Sequence, residues 1–195
     1  MTLLLYRIQY TMRFNSKTDK VFFTSDTHFR HRNILHYDKR PFSSIDEHDA
    51  ALVANWNKVV SPDDHVFHLG DVSFGTSHQI SNVLGQLNGI KHLVIGNHDH
   101  ELTDDQNCVS FFESINPYLE IYVDRQMICC FHYSIHEWNR CHKGSWQLHG
   151  HSHGNDNYNE SYKRLNVGIN LWDYKPISYQ QVAIVMAGKV NFEHH

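Results

Sequence analysis

Five short stretches of the chain carry side chains that bind metals or move protons. They are Asp26 and His28, Asp71, Asn97 with His98 and Asp99, His132, and His151 with His153. Carboxylate, imidazole and amide oxygen make up the donor set that a borderline or hard divalent ion takes. Asp26-x-His28 and His151-x-His153 are alternate residues, so at a strand end each pair can aim two donors at one ion. Gly70, Gly96 and Gly150 each precede a candidate ligand, where glycine lets the chain turn sharply and the backbone approach closely. One D-x-H or H-x-H is a weak signal among eighteen histidines, and one G-N-H-D is moderately specific. The ordered set D-x-H, G-D, G-N-H-D, H and G-H-x-H is a strong one.

These residues need a scaffold that ends several strands at one place. Residues 20–25, 65–69 and 90–95 are short apolar runs that read as buried strands. Between them, residues 45–60 have apolar positions at helical spacing behind Ser43 and Ser44, either of which can cap a helix. Residues 77–87 form a weaker helical segment. This strand, helix, strand, helix, strand order implies parallel pairing. Further strands are expected at 118–123, 126–132, 147–149 and 164–169, with a last segment at 177–187 that starts helical. The expected fold class is therefore α/β with a mixed second half, in a single domain over residues 1–195. Its core spans about residues 20–187, with an extension or edge strand at 1–19 and a tail at 188–195. The candidate ligands follow the strands, where open α/β sheets bind their ligands.

Composition narrows the classes. The 195 residues carry 17 Lys+Arg against 21 Asp+Glu, a net charge of −4, which argues against binding duplex DNA through a net positive field. With 41% hydrophobic and 13% aromatic residues the chain is too apolar to be disordered. No stretch reaches the ~20 apolar residues of a membrane helix, and the leucine run near Met1 lacks a signal-peptide core, so a cytoplasmic protein without membrane contact is expected. Met12 is an alternative start. Cys108, Cys129, Cys130 and Cys141 form no C-x-x-C pair and read as reduced, mostly buried thiols. Cys129 and Cys130 should face opposite sides of one strand.

At the candidate ligands the sequence resembles the calcineurin-like metallophosphoesterase superfamily, and especially a small bacterial and phage subgroup. The flanking segments that carry this are Phe23–Phe29 with Asn33 and Ile34, Arg40-Pro41-Phe42, His68–Val72, and Asn166–Ile169 with Trp172 and Pro176. The resemblance implies a four-layer α-β-β-α sandwich of two mixed sheets. It implies two divalent ions, Mn first and Fe, Zn, Ni or Co as alternatives. Asp26, His28 and His153 would hold one ion, Asn97, His132 and His151 the other, and Asp71 would bridge them. His98 would be the catalytic residue beside the phosphate. The implied reaction is phosphodiester hydrolysis, a hydroxide shared by the ions attacking in line.

The chain departs from the superfamily at several places. Phe74 and Gly75 stand where the protein phosphatases have an aspartate and an arginine, which favours diesters over monoesters. Arg30 stands where the subgroup usually has glycine, and Ser134 where it has proline. Arg30, His31, Asn33, Arg40 and Trp138 are the candidate substrate contacts, with Tyr133 and Trp146 able to stack a base. The expected partner is a small phosphodiester or nucleotide. A non-catalytic metal-binding scaffold and a nuclease on single-stranded nucleic acid are the alternatives. His68 and His149 are candidates to support the ligands, and Asp99 is read as structural.

Overall fold

The computed structural model describes residues 11–156 and 161–193. The expectations for residues 1–10 and for the terminal histidine pair fall outside them. In chain order the elements are β1 (Met12–Phe14), β2 (Val21–Thr24), α1 (Ile34–Tyr37), α2 (Ile45–Val59), β3 (His65–His68), α3 (Ser77–Leu84), β4 (Ile90–Val94), α4 (His100–Thr103), α5 (Gln106–Val109), β5 (Phe112–Asn116), β6 (Leu119–Val123), β7 (Gln126–Cys130), β8 (Trp146–His149), β9 (Arg164–Asn166), β10 (Ile177–Ser178) and α6 (Tyr179–Ala187). They form two mixed five-stranded sheets, ordered β10-β2-β3-β4-β5 and β1-β6-β7-β8-β9. β2, β3, β4 and β5 pair in parallel, as do β7, β8 and β9, while β10 and β6 run antiparallel to their neighbours β2 and β7.

Side-chain alternation makes the sandwich. Phe23, Phe67 and Val94 of the first sheet meet Ile121, Ile128, Cys130 and Leu148 of the second in a shared core. Their neighbours Phe22, Val66 and Leu93 face the other way, onto Leu52 and Trp56 of α2 and Ile80, Val83 and Leu84 of α3. Each such fully buried side chain contributes roughly 1.5–3 kcal/mol. The outer face of the second sheet differs from the four-layer expectation. Among the described residues, Met127 and Cys129 are covered there by Trp138, Cys141 and Phe192, which belong to loops and a short 3₁₀ turn. α6 instead places Val182 and Met186 in the core between the sheets. All four cysteines are free and buried, and Cys129 and Cys130 face opposite sides as expected.

Helix ends follow local chemistry. Ser44 accepts the Glu47 N–H at the start of α2, and Val60 turns extended at its end, ahead of Pro62. Thr76–Gln79 and Ser178–Gln181 are reciprocal caps for α3 and α6. α6 therefore begins later than expected, because Ser178 must be extended to cap and Ile177–Ser178 pairs with β2. α3 stops three residues early: the N–H groups of Gln86 and Leu87 bond to Val83 and Leu84, a tighter turn that buries Leu87. Beyond the extension or edge strand expected within 1–19, no local alternation in the sequence marks β1 or β5. Both are edge strands with half-buried positions, and β5 pairs with β4 through a register shift at Lys91/His92.

Buried neutral histidines make this fold sensitive to acid. Burial pulls His68 down to about 3, and burial with the nearby His65 pulls His92 down to about 4. The unfolded chain takes up these protons near the ordinary value of 6.5, whereas the folded chain resists until well below it. Between those limits the unfolded state binds more protons, so stability is full above about pH 6.5 and falls as pH drops, by up to about 1.4 kcal/mol per pH unit for each group. Urea unfolding at pH 7 and pH 5 checks this. His92→Leu, which removes one of the two groups, should lose about 2 kcal/mol less than the parent over that interval. An equal loss in both proteins would refute the assignment.

Candidate metal centre

The C-terminal ends of β2, β3, β4, β7 and β8 meet on one rim, and each delivers part of the ligand set. Two groups of donor atoms lie within 4.8 Å of one another: Asp26, His28, Asp71 and His153, and Asp71, His132 and His151. Asp71 belongs to both. Its Oδ2 lies 3.7 Å from His28 Nε2 and 3.6 Å from His132 Nε2. His153 Nε2 is 3.5 Å from Asp26 Oδ1 and 3.2 Å from His28 Nε2. Asn97 joins the second group, its Oδ1 lying 3.0 Å from His132 Nε2. The residues expected as ligands are thus brought together, in two clusters of donor atoms that share the Asp71 carboxylate.

The backbone is strained where the ligands leave the strands. Asp26, His28, Asp71, His151 and His153 all have positive φ, between 50° and 70°. Non-glycine residues held there cost of order 1–3 kcal/mol each and persist only where surrounding contacts over-determine them. Those contacts are present. The N–H groups of Asp26 and His28 bond to the carbonyls of Gly70 and Asp71. The Asp99 carboxylate accepts N–H groups from Asp71, Val72 and Gly96, which gives it the structural role expected. The His151 N–H donates to both oxygens of Asp26.

Two glycines let these segments close on one another. Gly70 has φ +94°, and a Cβ on it would lie 2.5 Å from Gly96 N and 2.6 Å from His132 Nδ1. A Cβ on Gly150 would overlap Ser25 Oγ and Asp26 Oδ2. Gly150→Ala should therefore push Asp26 away from His153 and lower metal affinity at least tenfold, with a stability loss of about 1–3 kcal/mol from overpacking. Calorimetric metal titration alongside a melting curve tests this, and unchanged affinity in a folded variant would contradict it.

The imidazoles are oriented for metal. His132 Nδ1 donates to the Leu69 carbonyl at 2.7 Å and His153 Nδ1 to the Asp38 carboxylate at 2.7 Å, leaving Nε2 of each for an ion. Burial, with positive neighbours, holds His28 far below its ordinary value, so it stays neutral. Burial is also the largest influence on Asp26, raised to about 6: a carboxylate without water gains from a nearby cation. The donor chemistry, free Nε2 atoms and a desolvated carboxylate suit a divalent ion.

Asp38 belongs to no motif in the sequence, although it lies two residues before the Arg40-Pro41-Phe42 segment. Arg40 itself is a correction. It is not a substrate contact: its side chain is fully buried, and its guanidinium donates to the carbonyls of Asp26 and Thr27, the Asp38 carboxylate and His48 Nε2. It holds the ligand loop instead. Arg30 is corrected likewise. Its guanidinium pairs with Asp46 and Asp49 in a separate cleft against α2 and α3, and its φ of 62° is one that glycine adopts more readily than arginine. Trp138 is buried in the outer cluster and donates Nε1–H to the Ser145 carbonyl, away from the centre. Trp146 is buried and stacks on Tyr179. Asn33 is exposed at the start of α1 and does not line the central cavity.

His31, by contrast, faces the donor groups. It lines a cavity of about 310 Å³ with His28, Ile34, Tyr37, Asp71, Phe74, Asn97, His98, His151 and His153. His98 is exposed there, and its backbone N–H donates to Asp71 Oδ1 at 2.9 Å. Asn166 and Asn170 clamp the last ligand loop: Asn166 Nδ2 donates to Ser152 and Asp156, and Asn170 to the His153 carbonyl. His68 supports Thr27, between two ligands, with Nε2 2.9 Å from Thr27 Oγ1.

The chain is 33% identical over 183 residues to the uncharacterized protein MJ1445 of Methanocaldococcus jannaschii, an alignment covering 88% of this chain and 94% of that one. It belongs to that protein's family. The gene 66 protein of Mycobacterium phage L5 is 39% identical over 80 residues, 40% of this chain and 38% of the phage protein. The crystal structure of AQ665, a protein of unknown function from Aquifex aeolicus, shares the fold with a TM-score of 0.65 at 24% identity, covering 86% of this chain and 99% of that one. No protein-family profile matches the chain. Among the described residues no helix is long and apolar enough to cross a membrane.

Proposed function

We propose that the protein is a metal-dependent phosphodiesterase of the calcineurin-like metallophosphoesterase superfamily. The observation that carries this is the pair of donor groups sharing Asp71, supplied by five strand ends and held in strained backbone. Asp26, His28, Asp71 and His153 would hold one ion, and Asp71, Asn97, His132 and His151 a second. When bound, such ions, Mn first among them, supply Lewis acidity to phosphoryl oxygens and acidify a water. The sandwich of two mixed sheets supports the fold assignment, while the loops outside the second sheet depart from its four-layer form.

The protein's own groups set the rest. His98 reaches the cavity from a backbone pinned to Asp71, where its ring can give a proton to a leaving oxygen. Phe74 packs 5.0 Å from the His98 ring and 4.0 Å from that of His31, in the place of a carboxylate partner. Among the described residues no lysine or arginine lines the cavity, so a doubly charged monoester has no guanidinium to meet its extra charge. That favours a singly charged diester.

The test is hydrolysis of bis(p-nitrophenyl) phosphate after loading with Mn²⁺ or a related ion. Turnover is expected, and His98→Ala should reduce it about 10²–10⁴-fold, the usual range for losing a general acid. No turnover with any of these metals, or full activity in His98→Ala, would defeat the proposal.

A further inference from the structure

We infer that the wall built by α1 and its neighbouring rings takes a nucleobase, making the substrate a nucleoside-bearing diester of mononucleotide size. This rests on the diesterase reading above. α1 places Ile34 and Tyr37 three residues apart on the cavity side, Ile34 buried and Tyr37 67% exposed. From Tyr37 a run of rings leads inward to His98. Tyr37 meets His31 edge-on at 6.1 Å, His31 stacks on Phe74 at 4.0 Å, and Phe74 lies 5.0 Å from His98. Tyr133, 37% exposed, lies 4.6 Å from the ring of His151, which also lines the cavity.

Charge and size select among occupants. The ligand groups provide for one phosphate, and beyond them the wall offers aromatic and aliphatic faces, with no lysine or arginine among the described residues. A second anionic group would be desolvated there without a partner. A long single strand calls for a basic groove to track its backbone, and Arg30 is tied to Asp46 and Asp49. A flat uncharged ring fits the wall, since base–aromatic stacking contributes about 1–3 kcal/mol per base. The volume of about 310 Å³ lies at the small end of ligand pockets, consistent with one nucleoside.

The experiment uses the Mn²⁺-loaded protein and two diesters that differ only in the base: thymidine 5′-methyl phosphate and its abasic 1,2-dideoxyribose counterpart. Methanol release is followed for both, with bis(p-nitrophenyl) phosphate as the measure of diesterase activity itself. The expected kcat/KM is at least tenfold higher for the thymidine compound. Tyr37→Ala should bring that ratio towards one, and Tyr37→Phe should retain it. Tyr37 is exposed enough that neither change should disturb folding, which a melting curve checks. A ratio near one in the parent, with bis(p-nitrophenyl) phosphate hydrolysed, overturns this inference and leaves the diesterase reading standing. So does a ratio that Tyr37→Ala leaves unchanged. Failure to hydrolyse any diester overturns both.

Discussion

Replacing Asp71 with asparagine is expected to reduce diester turnover about a thousandfold and to weaken metal binding in both donor groups together. Asp71 is the carboxylate the two groups share, with His28 and His132 on either side of Oδ2. The amide of Asp71→Asn would keep an oxygen to accept the His98 N–H, so the fold around the site should survive, but the negative charge available to offset cations held by the proposed centre would be gone. Lewis-acid stabilisation in such centres amounts to several kcal/mol, and each 1.36 kcal/mol is a factor of about ten in rate. Metal content per chain, measured beside diester turnover and a melting curve, checks the prediction. A variant that keeps two ions and near-full turnover would show that Asp71 does not bridge them.

The second large effect should come from a residue that touches no substrate. Asp38→Asn is expected to lower metal affinity about 10–100-fold, the usual result of removing a carboxylate that orients a ligating histidine. Burial alone would lower the pKa of His153, yet the hydrogen bond to Asp38 and the charges of Asp26 and Asp38 raise it. The Asp38 carboxylate therefore holds the Nδ1 proton and leaves Nε2 for the ion. An asparagine amide facing Nδ1 would favour the opposite tautomer. Asp38→Ala should do more: it leaves the buried Arg40 guanidinium without its carboxylate, and breaking such a pair costs about 3–5 kcal/mol. Calorimetric titration with Mn²⁺ and urea unfolding separate the two effects. Asp38→Asn should chiefly weaken binding, and Asp38→Ala should also unfold early. Unaltered affinity in Asp38→Asn would remove Asp38 from the centre.

The difference between Asp71 and Asp38 marks how far the sequence can be read. Asp71, Asn97 and His151 each follow a glycine after an apolar strand, and Asp26 and His132 follow strands without one, so chain order alone groups them. Helices and buried strands were legible for a similar reason. The capped, amphipathic α2 and the apolar β2, β3 and β4 repeat a local pattern strong enough to survive packing. β5 was not legible, because an edge strand with half-buried positions has little alternation. Arg30 and Arg40 look alike in sequence, as cations beside a metal motif. Packing turns both away from the cavity, towards carboxylates and carbonyls far from them in chain order or hidden among their neighbours.

The sequence by itself determined the donor types, their order along the chain, the α/β class and the parallel strands that bring them to one rim. These follow from residue chemistry and from hydrophobic period, which are local properties. Only the tertiary structure decided that Asp71 stands 3.6–3.7 Å from both His28 and His132, that Asp38 orients His153, and that, among the described residues, the cavity wall is aromatic and without lysine or arginine. Each of these depends on a distance between segments, such as the 115 residues separating Asp38 from His153. Such distances are set by how the two sheets pack, because closing the shared core fixes where every strand end must stand.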